Sequence, residues 1–408
     1  MVSKYSRFGL SKCVRNTVHI NVIFHSLQAV NIPTYHYVAI DLHSTNAVVC
    51  VKVNVVDKQG ALVGKTIYRG TVSIYDGTEA FEKCMQRYCE DVPHTAIVES
   101  TYNWYALADI FERRGWVLRV ADPSTVSHAN IKAADDKSDA EYLAERLRVG
   151  SIKSYLPLNK EDRALRDLCR HRMALVQQRA SYKIKLVNMY RNQLSKPLAV
   201  CALLERAQAV VQEHYFVPAD VFEEFSDINI RLKAATMLSQ ILLLRDQIAL
   251  LDEHIQSQCK SIKLDKLRRT LPGCGSVLAA VVATEIGSVE RFADAANFVS
   301  YCRLCSTSKL RNGKSKGLGN AKNGNAYLSW AFTEIAQHAL VNRTIRAIFD
   351  RLLKKYHGLR VKAIRTLAAK IARAAYYVLK NEVPFELAKC FGCSRPSSLR
   401  PTQQNAAG

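Results

Sequence analysis

The chain has 408 residues, 48% of them hydrophobic, enough for two or three domains each with its own core. Its 58 Lys and Arg against 36 Asp and Glu leave a formal net charge of +22, which points to a polyanionic partner, nucleic acid ahead of an anionic membrane. No apolar stretch of ~20 residues is found to span a membrane, and the 12 cysteines follow no repeating spacing, which argues against a disulfide framework.

The first 35 residues carry Lys4, Arg7, Lys12 and Arg15 but no apolar core with a small-residue cleavage site, and are expected to be a poorly ordered extension rather than a signal peptide. From 36 to 158 the pattern is α/β. Tyr37–Asp41, Asn46–Asn54 and Lys65–Tyr75 predict consecutive strands, and Gly77–Glu90 a helix. His94–Glu99 predicts a buried strand, Trp104–Arg114 a helix and Trp116–Ala121 another strand. A helix from Asp136 to Val149 closes a mixed-sheet domain. Cys84, Cys89, Cys169 and Cys259 fall on predicted helices, which suits reduced thiols in a cytosol. Cys390-Phe391-Gly392-Cys393 is a single CxxC, half of what a zinc site needs.

Residues 159–263 are helical. Arg163, Arg166, Arg170 and Arg172 begin a basic run between Pro157 and Pro197. Met237, Ile241, Leu244, Ile248, Leu251 and Ile255 then repeat in the rhythm of a coiled-coil seam along a long helix from about Ile230 to Ile262. A helical hairpin packed on itself and a dimerisation arm both fit that rhythm. Residues 264–390 form a third, mainly helical part. Leu271-Pro272-Gly273-Cys274-Gly275 looks like the turn of a helix-hairpin-helix, with Gly273 and Gly275 letting backbone N–H groups approach a phosphate; a plain helix start is the alternative. Between Arg303 and Lys380 there are 17 Lys or Arg against two acids, Glu334 and Asp350, more asymmetry than a solvated helix face requires. The tail, residues 391–408, is polar and expected to be disordered.

Four carboxylates stand where chemistry can use them. Asp41 and Glu99 each end an apolar strand, and Asp136 and Asp139 open the helix that follows the sheet. Singly, each has an ordinary reading as a turn or cap residue. Together, acids from two strand ends and one first helical turn can converge into the hard oxygen set that Mg²⁺ or Mn²⁺ prefers. Two such ions, roughly 4 Å apart, serve in-line displacement at phosphorus. Further on, Arg311, Asn312, Lys314, Lys316, Lys322, Asn323 and Asn325 lie in a Gly/Asn/Lys loop that enters the apolar helix from Ala326, and are expected to hold nucleic acid.

In this combination the chain resembles the DEDD transposases of bacterial insertion sequences, the IS-one-ten family and especially its IS-eleven-eleven branch, over about residues 36–390. Asp41, Glu99 in Val98-Glu99-Ser100-Thr101-Tyr102-Asn103-Trp104, and Asp136 with Asp139 match the family's acids. Leu271-Pro272-Gly273-Cys274-Gly275 and the Asn-Gly-Lys to Lys-Asn-Gly-Asn loop match its C-terminal domain. The resemblance implies a ribonuclease-H-like N-terminal domain similar to Holliday-junction resolvases, with four acids holding Mg²⁺. It also implies a helical middle, and a C-terminal DNA-binding domain with a serine that attacks a DNA phosphate. A structured guide RNA encoded by the element, homodimers pairing into tetramers, no membrane partner, and a place in the bacterial cytoplasm on the nucleoid are implied as well.

One departure stands out. The family's serine falls on Arg311, which has no hydroxyl and stays charged. Three readings fit: Ser308 or Ser306 takes the role after a shift of the loop, Ser315 is the true position, or this copy binds DNA without joining it. A hydrolytic nuclease that uses only the acids is a further alternative.

Overall fold

The computed structural model describes residues 34–75, 77–100, 103–122, 125, 136–195, 197–198, 202–205, 216–258, 270–305, 308–311, 314–318 and 324–391. Residues 1–33 of the expected extension and the tail from 392, with Cys393, lie outside the described residues. The chain divides into two compact units, Met1–Ser154 and Tyr155–Gly408.

The first unit is built on a six-stranded mixed sheet in the order β3-β2-β1-β4-β5-β6. β1 (His36–Leu42), β2 (Asn46–Val56) and β3 (Leu62–Ser73) form an antiparallel meander. β4 (His94–Val98) runs parallel to β1, and β5 (Leu118–Ala121) parallel to β4; β6 (Ser154–Tyr155) ends the order. The central strands are apolar without alternation because both their faces are covered: Val38, Ala39, Ile40, Ala96, Ile97 and Val98 are fully buried. α1 (Glu79–Cys89) buries Phe81, Met85 and Cys89 at a spacing of four. α2 (Tyr105–Arg114) stops at Gly115, whose φ of 70° supplies the left-handed cap. α3 (Asp136–Arg148) lays Ala140, Leu143 and Ala144 on Ala39, Val48, Cys50, Ile97 and Ala121. Two alanines let the helix approach the sheet closely, and burying Leu143 contributes about 2 kcal/mol.

The second unit opens with α4 (Lys160–Leu194), capped by Asn159, whose side chain accepts from the Asp162 N–H at 2.7 Å. It pairs antiparallel with α5 (Ile228–Gln258): Leu186, Met189 and Tyr190 meet Ala234 to Leu242, while Leu175 meets Leu244 and Ile248. Ile241, Leu244, Ile248 and Ile255 of the expected seam are buried, and Leu251 packs partly against the same helix, so the seam is filled within the chain. The absence of a span-length apolar stretch is corrected here. By length and composition α5 qualifies, with an 18-residue window of mean hydropathy 1.3; α4 occupies its apolar side.

α6 (Ser276–Ile286), α7 (Ala295–Tyr301), α8 (Ala326–His338), α9 (Arg343–Lys355), α10 (Arg360–Lys380) and α11 (Leu387–Phe391) surround a core that includes Phe298, Phe332, Leu367 and Tyr376. Residues 259–269, where the first helix of a helix-hairpin-helix would stand, lie outside the described residues. The stretch expected to be only a loop contains a two-stranded antiparallel sheet, β7 (Ser308–Arg311) with β8 (Lys314–Leu318). The residues between these strands are Asn312 and Gly313, the pair that favours a tight hairpin, a signal the loop reading passed over.

Candidate active site and nucleic-acid surface

β1 and β4 keep a constant offset, His36 across from His94 and Ile40 across from Val98. Asp41 and Glu99 are the residues that follow this last pair, Asp41 still in β1 and Glu99 just past the end of β4. Two residues back, Ala39 and Ile97 both pack beneath α3. Side chains two apart on a strand share a face, so Asp41 rises on the α3 side of the sheet. The Asp41 side chain is 17% exposed, and its Oδ2 lies 3.3 Å from His43 Nε2. Asn103 Nδ2 donates to the His43 carbonyl at 2.5 Å, which ties the segment after β4 to the segment after β1. Neither His43 nor Asn103 was singled out from the sequence as a site residue.

α3 runs antiparallel to β1. Near its end, Arg148 Nη1 donates to Asn54 Oδ1 at 3.0 Å. In its middle, Lys52 Nζ lies 3.4 Å from Glu141 Oε1 and 3.2 Å from Glu145 Oε2. From Asn54 back through Lys52, β2 leads to Val48, the partner of Asp41. The first turn of α3, with Asp136 and Asp139, is therefore at the Asp41 end of β1. Asp139 is half-buried, and the Asp136 side chain lies outside the described residues. Among the described residues no three His, Cys, Asp or Glu side chains close into a metal-holding group. The carboxylates fit Mg²⁺ or Mn²⁺ in kind, being hard oxygen donors carried by two adjacent strand ends and one helix start.

Ion pairs clamp α3 to β2 and β3. The Arg148 guanidinium, 2.5 Å from Glu145 Oε1, and then Lys52 hold Glu145 down to about 2. The Thr66 hydroxyl, at 2.9 Å, with Lys52 and Arg69 holds Glu141 below the usual carboxylate range. Burial pushes the neighbouring Cys50 thiol up to about 11, so it stays protonated. Lys52 was missed in the sequence, although a lysine inside the run Asn46-Ala47-Val48-Val49-Cys50-Val51-Lys52-Val53 is the signal that could have found it.

In the second unit, Ser308 stands across from Leu318, Leu310 from Ser315, and Arg311 from Lys314. The side chains of Ser308, Arg311, Lys314, Ser315 and Lys316 lie outside the described residues, as do Ser306, Asn312, Lys322 and Asn323 entirely. Asn325 is described, and its amide is committed inside the protein. Its Oδ1 accepts from the Leu328 N–H at 3.0 Å, capping α8, and its Nδ2 donates to Glu285 Oε2 at 2.7 Å. Glu285, buried on α6, also accepts from Arg170 of α4 at 2.6 and 2.8 Å. The Arg170 guanidinium in turn lies 4.6 Å from the centre of the Tyr327 ring. Asn325 therefore holds the loop's exit through these two contacts.

Gly273, with φ +81°, has no room for a Cβ, which would sit 2.4 Å from the Ile335 carbonyl oxygen; its smallness serves packing against α8. Around Gly275 the space is open, so the backbone there can still be approached by a phosphate. α9 buries Ile345, Ile348 and Phe349 and turns Arg343, Arg346, Arg351, Lys354 and Lys355 outward.

Two family models match in chain order. A transposase domain of the IS110 DEDD type covers residues 38–193, and the transposase IS116/IS110/IS902 family model covers 265–350, together more than half of the chain. The chain belongs to the IS110 family of transposases. It is similar also to the transposase for insertion sequence element IS1328 of Yersinia enterocolitica, 23% identical over 280 residues that span 67% of this chain and 77% of that one. A transposase is an enzyme that binds DNA, which accounts for the sign of the net charge. In this transposase the four acids fall within the first match, and Gly273, Gly275 and the β7–β8 hairpin within the second.

Proposed function

We propose that this insertion-sequence transposase cuts DNA at a divalent-metal centre held by Asp41, Glu99, Asp136 and Asp139, with a structured RNA from its own element choosing the DNA. The observation that supports it is the pairing of Ile40 with Val98 at the end of β1 and β4, which are followed by Asp41 and Glu99 at the end of the sheet where α3 begins. DEDD transposases as a class depend on divalent metal. A cation bound here would supply Lewis-acid charge to a phosphoryl oxygen. The chain's own contribution is rigidity: hydrogen-bonded parallel strands fix two acids, and the helix anchored by Lys52 carries the other two.

Joining needs a hydroxyl. Ser308 is the candidate on β7, with Ser306 and Ser315 as alternatives, and Arg311 at the family's serine position favours a second reading in which this copy binds DNA without joining it. Dimers pairing into a tetramer are the proposed assembly. Since the α4–α5 seam is filled, exposed apolar residues of these helices such as Ile184 and Leu250, 61% and 67% exposed, are candidates for it. Sedimentation that returns a monomer in the presence of DNA and RNA removes that assembly.

The deciding experiment incubates the protein, Asp41→Ala and Arg311→Ser with element-end DNA, the element's RNA and Mg²⁺. Nicking by the unmodified protein that disappears in Asp41→Ala supports the metal centre, and nicking that survives it sinks that reading. A denaturation-resistant protein–DNA adduct from the unmodified protein shows that another serine serves. An adduct from Arg311→Ser alone shows an intact centre in a copy that has lost its nucleophile.

A further inference from the structure

α10 packs through Ala363, Ile364, Leu367, Ala368, Ile371 and Ala375. On its opposite side Lys362, Lys370, Arg373 and Tyr377 are exposed. At about 100° per residue these four fall within about 80° of one another, one stripe along the helix. No acid occurs between Arg360 and Lys380. Tyr377 is 49% exposed, and its ring meets that of Tyr376 edge-on, at 5.3 Å between centres and 82° between planes. Tyr376 is 2% exposed, so a core residue braces a surface one. Lys380 is engaged elsewhere, donating to the Tyr376 hydroxyl at 3.0 Å and lying in the field of Glu290.

Cations alone suffice to hold the phosphates of a duplex, whose bases are stacked on one another. An exposed aromatic ring within a stripe of cations adds something a duplex does not use, a flat apolar face for an unpaired base. We propose that Tyr377 is a stacking platform for a base of single-stranded nucleic acid, with Lys370 and Arg373 holding phosphates of the same strand. From Lys370 to Tyr377 is about 10 Å along the helix. The site rests on the reading of the chain as a nucleic-acid enzyme. It lies beyond residue 350, where the second family match ends.

The test measures binding of the full chain to labelled dT20, rU20 and a blunt 20-base-pair duplex by fluorescence anisotropy, across a salt series in EDTA. Tyr377→Ala is expected to weaken single-strand binding by about fivefold to about 150-fold with the slope of log K against log salt unchanged, because stacking releases no counterions. Tyr377→Phe keeps the ring and is expected within about twofold of the unmodified protein. The double variant Lys370→Ala with Arg373→Ala is expected to flatten the single-strand slope by about 1.4. The larger loss, on dT20 or on rU20, tells whether the strand is DNA or RNA. Equal single-strand binding by Tyr377→Ala and the unmodified protein overturns the proposal, as does an equal loss on duplex, a Phe variant as weak as the Ala variant, or an unmodified protein that binds neither single strand. Thermal melts of all variants exclude misfolding as the cause. Because EDTA is present throughout, the metal-centre reading can fail or survive independently.

Discussion

Ile40 pairs with Val98 across two parallel strands, and Asp41 and Glu99 are the next residue after each. Two carboxylates at the same end of adjacent strands repel each other in protein without cations. Asp41→Asn is expected to raise stability in EDTA by about 0.5–1 kcal/mol while abolishing the rise in melting temperature that millimolar Mn²⁺ gives the unmodified protein. Calorimetry with and without Mn²⁺ checks both halves. An unmodified protein whose melting ignores Mn²⁺ tells against the metal centre.

The clamp beneath α3 predicts an acid limit to the first unit's stability. Glu145 is lowered from 4.5 to about 2 in the folded protein. A depressed carboxyl contributes its full stability above the unfolded value and loses it as pH falls through the folded one, so this contribution fades between about pH 4.5 and 2. Arg148→Met removes the largest cause of the shift, and its acid unfolding, followed by circular dichroism, is expected at higher pH than that of the unmodified protein. Lys52→Met is expected to cost about 1–3 kcal/mol at neutral pH, less than a fully buried pair because its carboxylate partners are 34% and 37% exposed. Unchanged acid midpoints in both variants would mean that the ion pairs are not what holds the helix.

Glu285 and Arg170 are unequally buried, with side chains 2% and 33% exposed. Removing the arginine strands a buried charge, whereas neutralising the glutamate leaves an arginine that water can reach. Arg170→Ala is therefore expected to cost about 3–5 kcal/mol and Glu285→Gln clearly less, read from urea unfolding. The reverse order would show that the carboxylate is better solvated than its surroundings indicate.

The two glycines of the Leu271–Gly275 turn separate packing from ligand contact. Gly273→Ala meets backbone at 2.4 Å with φ at +81°, and a loss of at least about 2 kcal/mol is expected. Gly275→Ala has open space and is expected to change stability by less than about 1 kcal/mol. Its effect is to be sought in DNA affinity instead. A stable Gly273→Ala protein contradicts the close approach of this turn to α8.

Local patterns in the sequence carry the strands and helices of the first unit, because apolar runs and their ends are local features. What they do not carry is pairing over distance. Lys52 and Glu145 are 93 residues apart, and Arg170 and Glu285 are 115 apart. In each pair one member interrupts an otherwise apolar element, Lys52 in β2 and Glu285 in the helix Ser276–Ile286, so the anomaly is visible although its partner is not. Asn325 shows a different limit, since the sequence does not reveal its capping role. A cap and a ligand contact call for the same amide, and the buried carboxylate that engages it, Glu285, lies 40 residues away.

The contact between Arg170 and Glu285 joins stretches that belong to different family matches, 38–193 and 265–350. The packing of each stretch thus depends on a charge carried by the other. A hybrid transposase assembled at any junction between residues 194 and 264 brings together an α4 and an α6 from different sources. Unless both parents carry the same two charges, the hybrid leaves one of them unanswered in its interior. Recombination among such elements is then free to exchange loops, but constrained to exchange these helices together.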